Sequence, residues 1–175
     1  MSKSQIPLAR AEAIANKIID AIKPHCERIA VAGSIRRRCG TVGDIDIVAW
    51  PRDRAAIKEA LDGRCIIKTN GESITTLLLR DGSTHAEIYW SRGHDSSTAD
   101  LFNAVTYPPN WGSVLLSRTG SKWHNIRLAE HARKLGLLWS VTNGVFCGVE
   151  CIASETEEEI FAALKLDFVP PEERQ

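Results

Sequence analysis

The sequence carries no net charge: 22 Lys and Arg stand against 22 Asp and Glu. Attraction of the whole molecule to a polyanion is therefore weak, and any nucleic-acid contact must come from local patches. No apolar run is long enough to cross a bilayer, and residues 1–5 lack the apolar core of a signal peptide, so no membrane partner is expected. Internal repeats and low-complexity tracts are absent. The five cysteines, Cys26, Cys39, Cys65, Cys147 and Cys151, lack the paired short spacings with histidine that a structural zinc requires. Reduced thiols and a cytoplasmic location are the expectation. What is present is enough apolar material, 43% of 175 residues, to bury a core as one compact domain or two small subdomains.

Charge is absent in sum but not in pattern. Arg36 to Arg38 form one basic patch, and Arg118, Lys122, Arg127, Arg133 and Lys134 a second, whereas acids gather at Glu155, Glu157 to Glu159, Glu172 and Glu173. This asymmetry predicts a basic working face and an acidic rear. Leu8 to Ile22 repeats apolar residues at helical spacing and stops at Pro24, and Ala55 to Leu61 reads as a short helix. Ile29 to Ala32, Ile45 to Trp50, Arg64 to Lys68, Ile74 to Leu79, Thr84 to Trp90 and Ala99 to Val105 read as strands, with Asn70-Gly71 as a hairpin turn. A boundary is expected near Tyr107-Pro108-Pro109, dividing residues 1–106 from 107–175. Beyond it come helices over Trp111 to Leu116 and Lys122 to Leu135, the latter with Ile126, Leu128, Ala129 and Ala132 inward. Leu138-Trp139 then pairs with Val145 to Val149, and Thr156 with Glu159 forms a capping box before a last helix.

The densest chemistry lies in residues 32–48, AGSIRRRCGTVGDIDIV. Gly33, Gly40 and Gly43 permit tight turns between two strands, and three consecutive arginines offer charge to phosphate. Side chains two apart in a strand share a face, so Asp44 and Asp46 aim at one locus while Ile45 and Ile47 face the core. Two adjacent carboxylates repel unless a cation sits between them, and a hard divalent ion such as magnesium takes oxygen ligands while leaving positions for substrate phosphates. A solvated salt-bridge patch is the alternative, but it gives no reason for charge and apolar residues to alternate so cleanly.

Gly33-Ser34-Ile35-Arg36-Arg37-Arg38 followed by Gly43-Asp44-Ile45-Asp46 resembles the palm signature of family X DNA polymerases, the polymerase beta-like branch of the nucleotidyltransferases. Arg118-Thr119-Gly120-Ser121 with Asn125 is similar to the family's C-terminal nucleotide-binding subdomain, and residues 157–174 to its tail. The resemblance implies an α+β fold, a mixed-sheet nucleotidyltransferase palm flanked by helices and followed by a small thumb-like α/β subdomain. It is nearest to the small stand-alone versions of phages and prophages, so the lyase and fingers domains of larger relatives are expected to be missing. The implied activity transfers dNMP from dNTP to a DNA 3′-hydroxyl, directed by a template, with two magnesium ions or manganese in their place. The implied partners are a DNA primer-template or 3′ end and a dNTP, with the chain a monomer that a repair or replication protein could join.

Residue roles follow by the same resemblance. Asp44 and Asp46 bind metal, and a third carboxylate stands on a neighbouring strand: Asp100, whose spacing to Gly120 and Asp-Leu-Phe context match the family, with Glu87 as the alternative. Gly33, Ser34, Arg37 and Gly43 take the triphosphate side of the nucleotide, and Arg118, Gly120, Ser121 and Asn125 its sugar and base. Arg36, Arg38, Lys122 and Arg127 are the DNA contacts, with a structural role the alternative for Arg36 and Arg38. Ser117-Arg118 departs from the aromatic pair the family places beside the sugar, leaving ribose discrimination open, and Ala129 replaces an arginine that supports the template base. The rival readings are a template-independent or non-DNA nucleotidyltransferase and a non-catalytic nucleic-acid-binding protein with a decayed site.

Overall fold

The computed structural model describes residues 5–93 and 108–174. The chain starts with a short strand β1 (Ile6–Pro7) and enters α1 (Leu8–Ile22), which buries Ala11, Ala15, Ile18 and Ile22, the i, i+4, i+7, i+11 stripe of an amphipathic helix. Strand β2 (Cys26–Val31) follows, then a single helical turn α2 (Gly33–Arg36), the short β3 (Thr41–Val42) that pairs with β1, and β4 (Ile45–Pro51). The Gly33-Ser34 segment is thus the start of a helical turn, not a simple reversal.

Asp53 caps α3 (Arg54–Leu61) by accepting hydrogen bonds from the Ala55 and Ala56 amides. Strands β5 (Cys65–Asn70), β6 (Ile74–Leu79) and β7 (His85–Trp90) complete a five-stranded sheet in the order β2-β4-β7-β6-β5. Its one parallel pair is β4 with β7; the other three are antiparallel, which makes the sheet mixed as expected. One face packs on α1 and α3 through Ile18, Ile22, Ile45, Ile47, Ile57, Leu61 and Ile88. The strand expected over Ala99 to Val105 lies outside the described residues.

On the other face sits α4 (Trp111–Thr119), whose Val114 and Leu115 meet Ala32, Val48 and Tyr89. Next come α5 (Lys122–Lys134), β8 (Leu138–Ser140), β9 (Gly144–Cys147), β10 (Glu150–Ala153) and α6 (Glu157–Ala163), which opens on the expected Thr156 to Glu159 capping box. These elements close a second core around Leu116, Leu128, Trp139, Phe161 and Leu164. Two corrections apply here. The expected Val145 to Val149 strand ends at Cys147, because Gly148 at φ 61° turns the chain, and Val149 stands in solvent before an unanticipated third strand. In α5 the inner stripe is His124, Leu128 and Ala132 with Ala129 packed against it, while Ile126 borders a cavity instead.

Candidate active site

The site is built where β4, β7 and the end of α4 meet. Ile45 and Ile47 are fully buried on one side of β4, so Asp46 projects from the other, beside α2. The parallel register sets Glu87 of β7 directly across from Asp46. Tyr89, two residues further along the same strand face, donates its hydroxyl hydrogen in a short bond to Glu87 Oε2 and makes a longer contact of 3.4 Å to Asp46 Oδ1. Burial first, then the bond to Glu87 and the charge of Asp46, push the Tyr89 phenol far above its ordinary value, so it remains a donor. The other oxygen, Asp46 Oδ2, lies against Gly33, where a Cβ would come within 1.9 Å of it.

The opposite wall comes from the end of α4. Gly120, at φ 68°, terminates the helix, the Gly120-Ser121 peptide is cis, and Ser121 caps α5 by accepting from the His124 amide at 3.3 Å. Asn125 is oriented by its Nδ2 donating to Ser117 O at 2.7 Å. Two arginines of the basic patch reach across to this turn: Arg37 donates to the Thr119 carbonyl in a short bond, and Arg36 to Thr119 Oγ1 at 2.7 Å. Both place positive charge at the C-terminal end of α4, where the helix dipole favours it. Arg118 lays its guanidinium 4.3 Å from the Tyr89 ring centroid, and its buried Nε has no hydrogen-bond partner.

Between the two walls is an open cavity of about 650 Å³, the size of a small-ligand site. Gly33, Ser34, Arg37, Gly43, Asp44 and Asp46 line one side, and Arg118, Gly120, Lys122 and Asn125 the other. The donor set offered by Asp44 and Asp46 is hard oxygen, which fits magnesium or manganese. Among the described residues no group of three His, Cys, Asp or Glu side chains stands close enough to hold a metal as a cluster. Glu87 stands across from Asp46 but does not line the cavity.

A family model for the DNA polymerase beta thumb matches residues 114–175. Across 98% of its length the chain is 27% identical to the DNA polymerase/3′-5′ exonuclease PolX of Bacillus subtilis, and it spans 29% of that protein. It also superimposes on Leishmania infantum polymerase beta in a ternary P/T complex, with a TM-score of 0.73 at 16% identity, covering 99% of this chain and 78% of that one. The C-terminal third of the chain is thus similar to the polymerase beta thumb, and the chain as a whole has the fold of polymerase beta.

Ten of the expected site residues share one cavity although they lie up to 92 positions apart, Gly33 to Asn125. Others do not reach it. Arg36 is half-buried and turned to Glu157, with its two amino groups at 2.8 and 2.5 Å from the carboxylate. Arg38 pairs with Glu12 at 2.7 Å on the surface, and Ser121 is engaged as a helix cap. Arg127 is exposed and does not line the cavity. Asp100 lies outside the described residues. Glu157 corrects the picture of an acidic rear: it is 5% exposed and held between Arg36 and the fully buried Arg174. A run of three glutamates reads as a solvated face, so nothing in the sequence pattern marks the middle chain's first member as an internal ion-pair partner. Tyr89 also went unread, although its two-residue spacing from Glu87 in an alternating strand is a sufficient signal.

Proposed function

We propose that the chain is a metal-dependent DNA nucleotidyltransferase that transfers dNMP from a dNTP to a DNA 3′-hydroxyl, directed by a template, and releases pyrophosphate. In this reading residues 1–106 form an N-terminal helix plus the nucleotidyltransferase palm, and 107–175 the thumb-like nucleotide-binding subdomain. The observation that carries it is the single cavity into which the carboxylates of Asp44 and Asp46, the Gly33-Ser34 turn with Arg37, and the Gly120 to Asn125 wall all open. Of the two candidates for third carboxylate, the position of Glu87 across from Asp46 favours Glu87.

Asp44 and Asp46 would hold magnesium or manganese, with Glu87 as the third ligand once its side chain turns toward the cavity, and the bound metal would supply charge neutralisation of the phosphates and acidify the attacking hydroxyl. Arg37 and Lys122 face the triphosphate, whose developing charge on the leaving pyrophosphate a fixed guanidinium stabilises. The 3′-oxygen bonds to the α-phosphorus as the bond to the bridging oxygen breaks, and in this reading Glu87 would take up the hydroxyl proton. Asn125, fixed by Ser117, lines the cavity wall where the base would lie, and Gly120 lets the sugar approach the backbone.

The test is extension of a labelled primer-template, and of a single strand, with each dNTP and rNTP in magnesium and in manganese. Template-directed extension is expected, with Asp46→Ala lowering it by at least ~100-fold, the loss implied by several kcal/mol of transition-state stabilisation. Failure on every DNA acceptor, or survival of activity in Asp46→Ala, overturns the reading. Glu87→Ala is expected to match Asp46→Ala, with Asp100→Ala closer to wild type. The stack of Arg118 on Tyr89 in place of an aromatic pair favours weak sugar selection, and equal use of rNTPs and single strands would move the assignment to a template-independent transferase.

A further inference from the structure

We infer that Tyr89 is a positioning residue that joins Asp46 and Glu87 into one metal-binding unit; this rests on the nucleotidyltransferase reading. The two carboxylates stand side by side on paired strands, Asp46 on β4 and Glu87 on β7. Left to themselves they would turn apart, because like charges at this spacing repel. The Tyr89 hydroxyl answers that repulsion from below with one hydrogen placed between them, bonded to Glu87 Oε2 and 3.4 Å from Asp46 Oδ1. With Oδ1 engaged there, Oδ2 is the oxygen presented beside Gly33 at the cavity. Carboxylates that ligate metals are characteristically held by such outer hydrogen bonds, and loss of the bond weakens the metal rather than the fold.

The tyrosine is itself held on every side. Its ring is 9% exposed and packs with Ala32, Val48, Val114 and Leu115 on the seam between the sheet and α4. The guanidinium of Arg118 covers the remaining face at 4.3 Å. Tyr89 is also the point where the seam between sheet and thumb reaches the carboxylates, so the position of α4 is felt directly at Asp46 and Glu87.

The alternative is a tyrosine that only fills the seam, and Tyr89→Phe separates the two roles. The variant keeps the ring, its packing and the Arg118 stack, and removes one oxygen. Manganese binding to the free protein, read from the electron paramagnetic resonance signal of unbound ion, is expected to weaken about 10- to 100-fold in Tyr89→Phe, while the thermal unfolding profile stays near that of wild type. In a Glu87→Gln background the same change is expected to have much less effect, since the partner of the bond is already altered. Unchanged manganese affinity in Tyr89→Phe overturns the inference. If wild type extends primers and Tyr89→Phe binds manganese normally, the inference alone falls. If manganese binding depends on Tyr89 but no DNA acceptor is extended, the polymerase reading alone falls. If wild type binds no manganese, both fall.

Discussion

At the scale of single residues, Gly33 and Gly43 show how two glycines that look alike in sequence do different work. Gly33 adopts φ 56°, and a methyl group there would come within 1.9 Å of Asp46 Oδ2 and 2.8 Å of its carboxyl carbon. Gly43 has nothing within 4 Å of an added Cβ and no positive φ. Gly33→Ala therefore combines left-handed backbone strain with displacement of a carboxylate, and is expected to cost about 2–4 kcal/mol in urea unfolding. Gly43→Ala should lie within ~0.5 kcal/mol of wild type. Equal costs for the two would mean that Asp46 yields to the methyl group without consequence.

At the scale of elements, α5 couples the site to the second core. Its first turn is capped by Ser121 at the cavity wall, and one turn later His124 is buried 5.9 Å from the Phe161 ring centroid. Burial first, then the charge of Arg174, lowers the His124 pKa from 6.5 to about 4. A histidine kept neutral by the fold takes up a proton more readily when unfolded, so stability is full above pH 6.5 and declines as pH falls from 6.5 to 4. A loss on the order of 2 kcal/mol over that interval is expected in chemical unfolding, and His124→Phe should flatten it. The helix α5 was legible in sequence from its bounding Ser121 and Gly136, but the inward place of His124 was not, because histidine suits either face. The same contrast holds elsewhere. Helix α1 and strands β4, β6 and β7 follow from apolar periodicity, and the cavity from the Gly-Ser and Asp-x-Asp spacing. Strand β10 escaped because an exposed Val149 extends the apparent run past Gly148, and the Arg36 to Glu157 pair because it joins residues 121 positions apart.

At the scale of the whole molecule, the core under the five-stranded sheet and the core of the C-terminal elements are held to one another by a seam and an ion-pair triad. The seam is Ala32, Val48 and Tyr89 against Val114 and Leu115. The triad is Arg36 of α2, Glu157 of α6 and Arg174 near the end of the chain, which also donates from Nε to Val169 O at 2.8 Å. Arg36 continues from the triad to Thr119, so the same guanidinium that anchors α6 also fixes the turn carrying Gly120. Burial raises the Glu157 pKa, but hydrogen bonds from Arg36 and Arg174 outweigh it, and the carboxyl ends below its ordinary 4.5. A depressed carboxyl stabilises the fold above pH 4.5, and that contribution is lost as pH falls through the lower folded value. Glu157→Gln leaves Arg174, which is fully buried, without its counter-charge. The expected cost at pH 7 is about 3–5 kcal/mol, the range for breaking a buried pair from one side. Because wild type itself begins to protonate Glu157 in acid, the gap between the two proteins should narrow as pH is taken well below 4.5. Urea unfolding of both at pH 7 and in acid measures this directly. A gap that stays constant with pH would show that Glu157 contributes through its shape rather than its charge, and that the seam alone joins the two halves.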